Sequence, residues 1–204
     1  MQSHIYRRIG RYFDASEANV RAAAVDEAYI AQCNAQGFYP ALYYPHNIHF
    51  LWASASMEGR SAVAIAAGEK VAANVRLEQI KQYPTVEFFQ TIPLLTWIRF
   101  GRWQEILDAE QPPIDLEFSN AIWRYARAVA SARSGHLRES ASEIAQMKPL
   151  LDHEAIYFLD GNDYPASAVL SIAHKLAEGE LAQAKGDLAL AVAHYRDAVA
   201  KHDA

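Results

Sequence analysis

Hydrophobic residues in this chain recur every three or four positions within alanine-rich runs. This spacing places them on one face of an α-helix, whereas a half-buried strand would need strict alternation. The segment from Ile80 to Glu87 is the most ambiguous stretch. The pattern therefore predicts an all-α protein.

A glycine followed by a polar residue interrupts the helical runs at regular intervals. The pairs are Gly10-Arg11, Gly59-Arg60, Gly101-Arg102, Gly135-His136 and Gly186-Asp187. Glycine can end a helix in the left-handed conformation because it has no Cβ atom to clash. Each pair therefore predicts a tight turn between two antiparallel helices.

Residues beside these turns have the spacing of helix caps. Asp14 with Glu17 has the spacing of a capping box, and Ser61 and Asp187 are suited to the N-cap position. Pro93 is expected either to kink a helix or to mark its start, because its ring collides with a preceding helical turn.

The segment from His174 to Lys201 carries the clearest repeat pattern. Its marker residues are Gly179, Gly186, Ala191, Tyr195 and Ala198. Small residues at these positions let two helices approach closely, and the aromatic ring fills the gap between helix pairs. The segment resembles a tetratricopeptide repeat. This resemblance implies a right-handed α-solenoid of about five antiparallel helix pairs.

The other segments follow the tetratricopeptide pattern less closely. Trp52 and Leu94 stand where a small residue is usual, and Ile106 replaces the usual alanine. The turn glycines are 49, 42, 34 and 51 residues apart, so only one interval has the family period of about 34. Longer helices or loops are therefore expected between some repeats. A single domain over 1–204 is predicted, with repeats at roughly 1–36, 46–76, 86–111, 118–151 and 166–202.

Four further motifs resemble a group of large bacterial tetratricopeptide-repeat proteins to which no reaction is assigned. They are Ser3–Tyr6, Asp26–Tyr29, Tyr43–Leu51 and Met57–Arg60. Only nine residues precede Gly10, whereas the first helix of such a repeat needs about fourteen. We therefore expect either a fragment of a longer chain or open ends through which copies of the chain associate.

Composition limits the classes of partner. The formal net charge is -5 and the pI about 5.9, which disfavours a protein that coats nucleic acid or an anionic membrane. No apolar run approaches the roughly 18 residues of a membrane span. The one cysteine, Cys33, cannot form an internal disulfide, and a reduced cytoplasmic setting and a place in the core are expected for it.

A stack of helix pairs presents the first helix of each pair on a concave face. Counting from the turn glycines, the inward positions are His4, Arg7, Arg8, His46, His49, Phe88, Arg99, Tyr125 and Arg133. This aromatic and basic surface suits an acidic or aromatic peptide. The sequence has no P-loop, dinucleotide fingerprint or nucleophile elbow. It therefore predicts a non-catalytic protein-binding or peptide-binding scaffold without a cofactor.

The histidines support an alternative. His46 and His49 are three residues apart on one helix face, and His4 is expected to approach them from the neighbouring helix. Three imidazoles could hold zinc or a similar divalent metal in a small-molecule or hydrolytic site. The same residues equally suit helix starts and hydrogen bonds between helices, so both interpretations stay open.

Overall fold

The computed structural model of the chain describes residues 2–34 and 39–202. Twelve α-helices and three short 3₁₀ or π segments account for the regular structure of these ranges, which contain no strand. The predicted all-α class is confirmed. None of the helices described is both long enough and apolar enough to cross a membrane.

Helix contacts divide the chain into two compact units, Met1–Phe100 and Gly101–Ala204. The first unit contains α1 Gln2–Arg8, α2 Tyr12–Cys33, a π-helical turn Tyr39–Tyr43, α3 Tyr44–Met57, α4 Ser61–Ala73, α5 Leu77–Gln82, a 3₁₀ segment Pro84–Thr91 and α6 Ile92–Arg99. The second contains α7 Trp103–Asp108, α8 Glu117–Arg133, α9 Leu137–Met147, a 3₁₀ turn Lys148–Leu150, α10 Glu154–Asp160, α11 Ala166–Ala184 and α12 Leu188–His202.

All five predicted turn glycines have a positive φ, between 67° and 82°. Four of the turns join helices that pack on each other, α1–α2, α3–α4, α8–α9 and α11–α12. The fifth, at Gly101, lies at the boundary of the two units. The residue after the glycine donates its backbone N–H five residues back in four turns, for example from Arg11 to Tyr6 (2.8 Å) and from Asp187 to Ala182 (3.0 Å). This bond satisfies a carbonyl that the helix end leaves open. A Cβ at Gly10 would meet no atom within 4 Å, so a larger side chain would fit there. The positive φ of the backbone is therefore the reason for the glycine.

One of the predicted helix caps is confirmed and two were wrong. The Asp187 carboxylate accepts the N–H of Leu190 at 3.0 Å, as expected of an N-cap. The prediction for Ser61 was wrong, because α4 begins at Ser61 itself and its N-cap is Arg60. The capping box of Asp14 was also wrong, since Asp14 lies inside the first turn of α2 and accepts Nε of Arg11 at 2.7 Å. Pro93 lies in the first turn of α6 and so marks a helix start.

The first unit has a core in which neighbouring hairpins share apolar side chains. Helix α2 packs on α1 and α3, and α4 packs on α3 and α6. Ile48, Val71, Val86 and Phe89 are at most 1% exposed. Burying such a side chain fully contributes roughly 1.5–3 kcal/mol.

Helix α8 is the centre of the second unit. It packs on α7, α9, α10 and α11, and most of its residues are buried on every side. Phe118 and Ile122 from α8 meet a core that includes Met147, Ile156 and Leu170, all at most 1% exposed. A helix surrounded in this way needs small residues, which explains the alanines of its sequence.

Two hairpins pack a glycine of one helix against an aromatic ring of the other. A Cβ at Gly179 in α11 would lie 2.5 Å from Cε1 of Tyr195 in α12, which confirms the predicted close approach. In the α3–α4 hairpin, a Cβ at Gly68 would lie 2.9 Å from Oγ1 of Thr96 in α6 and at an ordinary contact distance of 3.6 Å from Cδ1 of Trp52. Trp52 thus stands where a small residue was expected, and it faces a glycine of its partner helix.

Other expectations changed. Cys33 is exposed at the end of α2, so its predicted place in the core was wrong. The helix ends there because Asn34 adopts a left-handed conformation with φ of 45°, which asparagine tolerates. The single domain and the repeat limits stay predictions, and residues 35–36 at the end of the first repeat lie outside the described residues.

Candidate functional site

A groove beside α1 gathers three of the basic residues predicted to face a ligand. It has a volume of about 380 Å³ and is lined by His4, Arg7, Arg8, Tyr12, Phe50 and Met57. We call it the basic groove. The three α1 residues share one helix face because they stand three and four positions apart, and Phe50 and Met57 are two turns apart on α3. The sequence pattern missed Tyr12, Phe50 and Met57, although the last two continue the helix face of His46.

The ring of Phe50 is the floor on which the basic side chains lie. The His4 ring stacks on it, with centroids 4.1 Å apart and planes inclined by 25°. The guanidinium carbon of Arg7 lies 5.6 Å from the same ring, within the range of a cation–π interaction. The ring of His46 lies 4.6 Å from the Phe50 ring and 5.3 Å from the His4 ring, centroid to centroid. The groove thus combines an aromatic surface with positive charge.

Its arginines have no acidic neighbour. Nearby cations are neutralised within the unit, since Arg11 pairs with Asp14 and Arg60 with Glu58. Among the residues that the structure describes, neither Arg7 nor Arg8 forms an ion pair. Burial lowers the pKa of His4, and the nearby positive charges, those of Arg8 and Arg7 among them, lower it further. The electrostatic field of the groove therefore favours an anion.

The three predicted metal ligands do not share one set of neighbours. Nε2 of His4 and Nε2 of His46 face each other at 3.3 Å. His49 stacks instead on Trp52, with centroids 5.0 Å apart, and meets Phe88 and Phe89 edge-on. Within 2–34 and 39–202, no group of three or more His, Cys, Asp and Glu is arranged to hold a metal ion. The metal site stays a prediction, and metal content after dialysis would test it.

Burial in this aromatic cluster has a strong effect on His49. Desolvation lowers its pKa to about 4, and the positive charges of His46 and Arg7 add to the effect. Burial also lowers the pKa of His46, with a contribution from His4. These imidazoles are therefore neutral at pH 7.

Phe88 and Arg99 border the same unit in different ways. The Phe88 ring packs 4.0 Å from Phe89, centroid to centroid, and is half-buried. Arg99 donates from Nε to the carbonyl of Ser56 at 2.9 Å, and its Nη2 lies 3.9 Å from Sδ of Met57. Arg99 therefore holds the end of α3 at the edge of the basic groove.

Tyr125 and Arg133 belong to the second unit and face protein groups. Tyr125 is 8% exposed, and burial raises its pKa to about 12. Arg133 donates to Glu180 at 2.9 Å, and the Tyr195 hydroxyl donates to the same Glu180 oxygen at 3.0 Å. These contacts assign Arg133 and Glu180 to the packing of α8 on the α11–α12 hairpin.

A second polar group, in a groove of about 380 Å³ between α9, α11 and α12, was not predicted. Oε2 of Glu178 lies 3.6 Å from Nδ1 of His174, 3.4 Å from Nδ1 of His194 and 2.7 Å from Nζ of Lys175. We call these four residues the histidine–glutamate cluster. The four-residue spacing of His174 and Glu178 is the signal that could have indicated it.

The cluster is only partly satisfied by these contacts. Nε2 of His174 is buried without a hydrogen-bond partner among the described residues. Burial lowers the pKa of His174, and the negative charge of Glu178 opposes that shift. Burial alone would raise the pKa of Glu178, but Lys175 and the two histidines hold it below its ordinary value. The cluster therefore holds a negative carboxylate beside Lys175 and the buried ring of His174.

The basic groove remains the better candidate for ligand binding, because its charges lack partners and its aromatic wall is accessible. Comparison of the chain with protein-family models, with curated proteins and with solved structures finds no match.

Proposed function

We propose that this chain is a non-catalytic scaffold of the tetratricopeptide type, a right-handed α-solenoid whose basic groove binds an acidic peptide. One observation carries the proposal: Arg7 lies over the face of Phe50 and Arg8 lines the same groove, and neither has a carboxylate partner among the described residues. Support for the solenoid comes from four packed hairpins, α1–α2, α3–α4, α8–α9 and α11–α12, each closed by a glycine with positive φ.

Charge supports an anionic ligand. The chain as a whole carries a formal charge of -5, so a groove lined by two arginines that form no ion pair among the described residues runs against the average. Arginine in this situation can donate two parallel N–H bonds to one carboxylate, a geometry that lysine lacks.

The shape of the groove supports a peptide with an apolar side chain beside its acidic residues. A volume of about 380 Å³ accepts one or two side chains and not a whole folded domain. Phe50 and Met57 offer an aromatic face and a flexible thioether, both of which adapt to apolar side chains. We therefore assign the arginines to carboxylates and Phe50 to the apolar anchor.

Fluorescence polarisation with two labelled peptides tests this proposal. The first has glutamates on both sides of one phenylalanine, and the second has lysines in their place. We expect the acidic peptide alone to bind, with affinity falling as salt rises, because exposed charges are screened. Arg7→Ala and Arg8→Ala should each weaken binding about fivefold to tenfold, since an ion-paired hydrogen bond is worth roughly 1–1.5 kcal/mol.

Arg21→Ala is the matched control. Arg21 is exposed on α2 outside the groove, and its loss changes the net charge by the same amount. Binding that falls equally in Arg7→Ala and Arg21→Ala would show a diffuse charge effect and would contradict the proposal. Equal affinity for the lysine peptide would do the same.

A further inference from the structure

The second helix of each hairpin has one face that meets the next hairpin. On α2, this face includes Ser16, whose hydroxyl donates to Glu58 of α3, and Ala23, which borders a groove with Ala62 of α4. On α9, the same face includes Ile144, which borders a groove with Leu181 of α11. Counted from the turn glycines, Ser16 stands at position six, Ile144 at nine and Ala23 at thirteen.

On α12, this face is open and apolar. Val192, Tyr195 and Val199 occupy positions six, nine and thirteen after Gly186. Val192 is 46% exposed and Val199 60% exposed. Together with Arg196 and Ala200 they line a depression of about 420 Å³. Helix α12 thus presents, uncovered, the surface by which α2 and α9 meet a following hairpin.

The matching surface is open on α1 and α2. The residues that α2 and α9 meet on the following hairpin have fixed positions around its turn glycine. Glu58 stands one position before its glycine, Leu181 five before and Ala62 three after. The same positions around Gly10 hold Ile9, Ile5 and Phe13, which are 62%, 58% and 61% exposed.

We propose that copies of this chain associate head to tail, with the open face of α12 on one copy covering Ile5, Ile9 and Phe13 on the next. The contacts inside the chain give the pairing. Val192 of one copy takes the place of Ser16 and meets Ile9 of the next, which takes the place of Glu58. In the same way, Val199 and Phe13 replace Ala23 and Ala62. Tyr195 and Ile5 replace Ile144 and Leu181. Each intermolecular pair is apolar on both sides, which suits an interface that excludes water.

Charge agrees with the same register. Arg196 stands ten positions after its glycine, where α9 has Ala145, and Ala145 borders a groove with Leu190, four positions after Gly186. The position equivalent to Leu190 in the first hairpin is Asp14. Arg196 has no ion-pair partner in the described part of its own chain. Head-to-tail contact therefore places Arg196 of one copy beside Asp14 of the next, where it shares that carboxylate with Arg11.

Two charged variants test the direction of this contact. Val192→Glu disables the α12 face and leaves the α1 face intact, whereas Ile9→Glu does the reverse. Because an unpaired carboxylate in an apolar contact is costly, we expect each to weaken self-association at least about tenfold. Light scattering over a range of concentrations should show wild-type mass rising above that of a monomer, since a head-to-tail contact leaves one face of each kind free and continues as a chain or a ring.

Mixing the two variants gives the sharpest result. Each supplies the surface that the other lacks, so an equimolar mixture should form a dimer and stop there. A symmetric contact of α12 with α12 predicts instead that Ile9→Glu dimerises alone and that the mixture gains nothing. Wild-type protein that stays monomeric at every concentration would overturn the proposal. It would mean that the α12 face binds some other partner and not a second copy of this chain.

Val25→Glu is the matched control, because Val25 is 68% exposed on α2 outside both faces. It should leave association unchanged. Far-ultraviolet circular dichroism checks that all three variants are folded, which is expected for exposed substitutions. Peptide binding in the basic groove should be the same in Val192→Glu and wild type, so this proposal and the proposed function can fail separately.

Discussion

The α3–α4 and α11–α12 hairpins solve one packing problem with opposite residues. Seven positions before the turn glycine, α3 has Trp52 and α11 has Gly179; nine positions after it, α4 has Gly68 and α12 has Tyr195. In the α11–α12 hairpin the ring closes tightly over the glycine, whereas in the α3–α4 hairpin Trp52 lies at an ordinary contact distance and Thr96 of α6 is the nearest side chain. Both hairpins therefore set a ring opposite a glycine, with the helices exchanged, and only the second has no room for a larger residue.

The grooves of these hairpins differ in a second way. Eight residues before and eight after the turn glycine, the α3–α4 hairpin has Leu51 and Ala67. The α11–α12 hairpin has Glu178 and His194 at the same positions. Both pairs line a groove of about 380 Å³. Since apolar residues suffice at these positions in one unit, the ionisable residues in the other are not needed to form such a groove.

Gly179→Ala should have the largest effect. The added methyl group would lie 2.5 Å from Cε1 and 2.7 Å from Cδ1 of Tyr195, whose hydroxyl is held by Glu180 and Gln183 at 3.0 Å each. Forcing extra volume into such a contact costs about 2–3 kcal/mol of the free energy of unfolding. Urea denaturation measures the loss.

A double-mutant cycle identifies the cause. Once Tyr195 is replaced by alanine, Gly179→Ala meets no ring and should instead stabilise the protein by up to about 1 kcal/mol, because alanine favours a helix more than glycine does. The same loss in both backgrounds would mean that the pairing of glycine with a ring is not the reason for the glycine.

The turns could be predicted from the sequence because each depends on one local feature, a glycine that must adopt a positive φ. The Trp52–Gly68 pair could not, because matching Trp52 alone to a repeat pattern ignores the glycine that faces it on the partner helix. The error at Cys33 is similar, since burial depends on whether a neighbouring element covers the residue.

The site was predicted in part for the same reason. His4, Arg7 and Arg8 are local to one helix face, so their spacing revealed the basic groove. Tyr125 was placed on the ligand face by register, yet packing of its neighbours leaves it 8% exposed. The contacts that bury it come from other helices, which a count from the nearest glycine cannot include.

Acid should affect stability through His49 of α3 in particular. Its pKa is about 4 in the folded protein and ordinarily 6.5, so below pH 6.5 the unfolded chain binds a proton that the folded protein does not. Stability is therefore full above pH 6.5 and falls as the pH drops toward 4. At 1.4 kcal/mol per pH unit, the loss from pH 7.5 to 5 is about 2 kcal/mol.

His49→Gln removes this titration and isolates it from that of other histidines. Urea denaturation of both proteins at pH 7.5 and pH 5 should show a loss about 2 kcal/mol smaller in the variant. Equal losses would mean that the aromatic cluster does not disfavour charged His49. In α11, by contrast, Glu178 opposes the effect of burial on His174, so His174→Gln should change the acid dependence less.

Leu51→Glu places a carboxylate in the apolar groove of the α3–α4 hairpin. Leu51 is half-buried among alanine and valine side chains, and the one lysine of the groove, Lys70, already pairs with Glu27. We expect a loss of about 1–2 kcal/mol in the free energy of unfolding. Ile114→Glu, at a position 82% exposed, is the control and should stay within about 0.5 kcal/mol of wild type.

The reverse exchange should have the smallest effect. Replacing Glu178 by leucine and His194 by alanine gives the groove of the α11–α12 hairpin the residues found at these positions in the α3–α4 hairpin. Losing the ion pairs is offset by no longer burying a carboxylate, so stability at pH 7 should stay within about 1 kcal/mol of wild type. A loss above about 3 kcal/mol would show that the histidine–glutamate cluster is structural, and the likeness of the two grooves would then end at their shape.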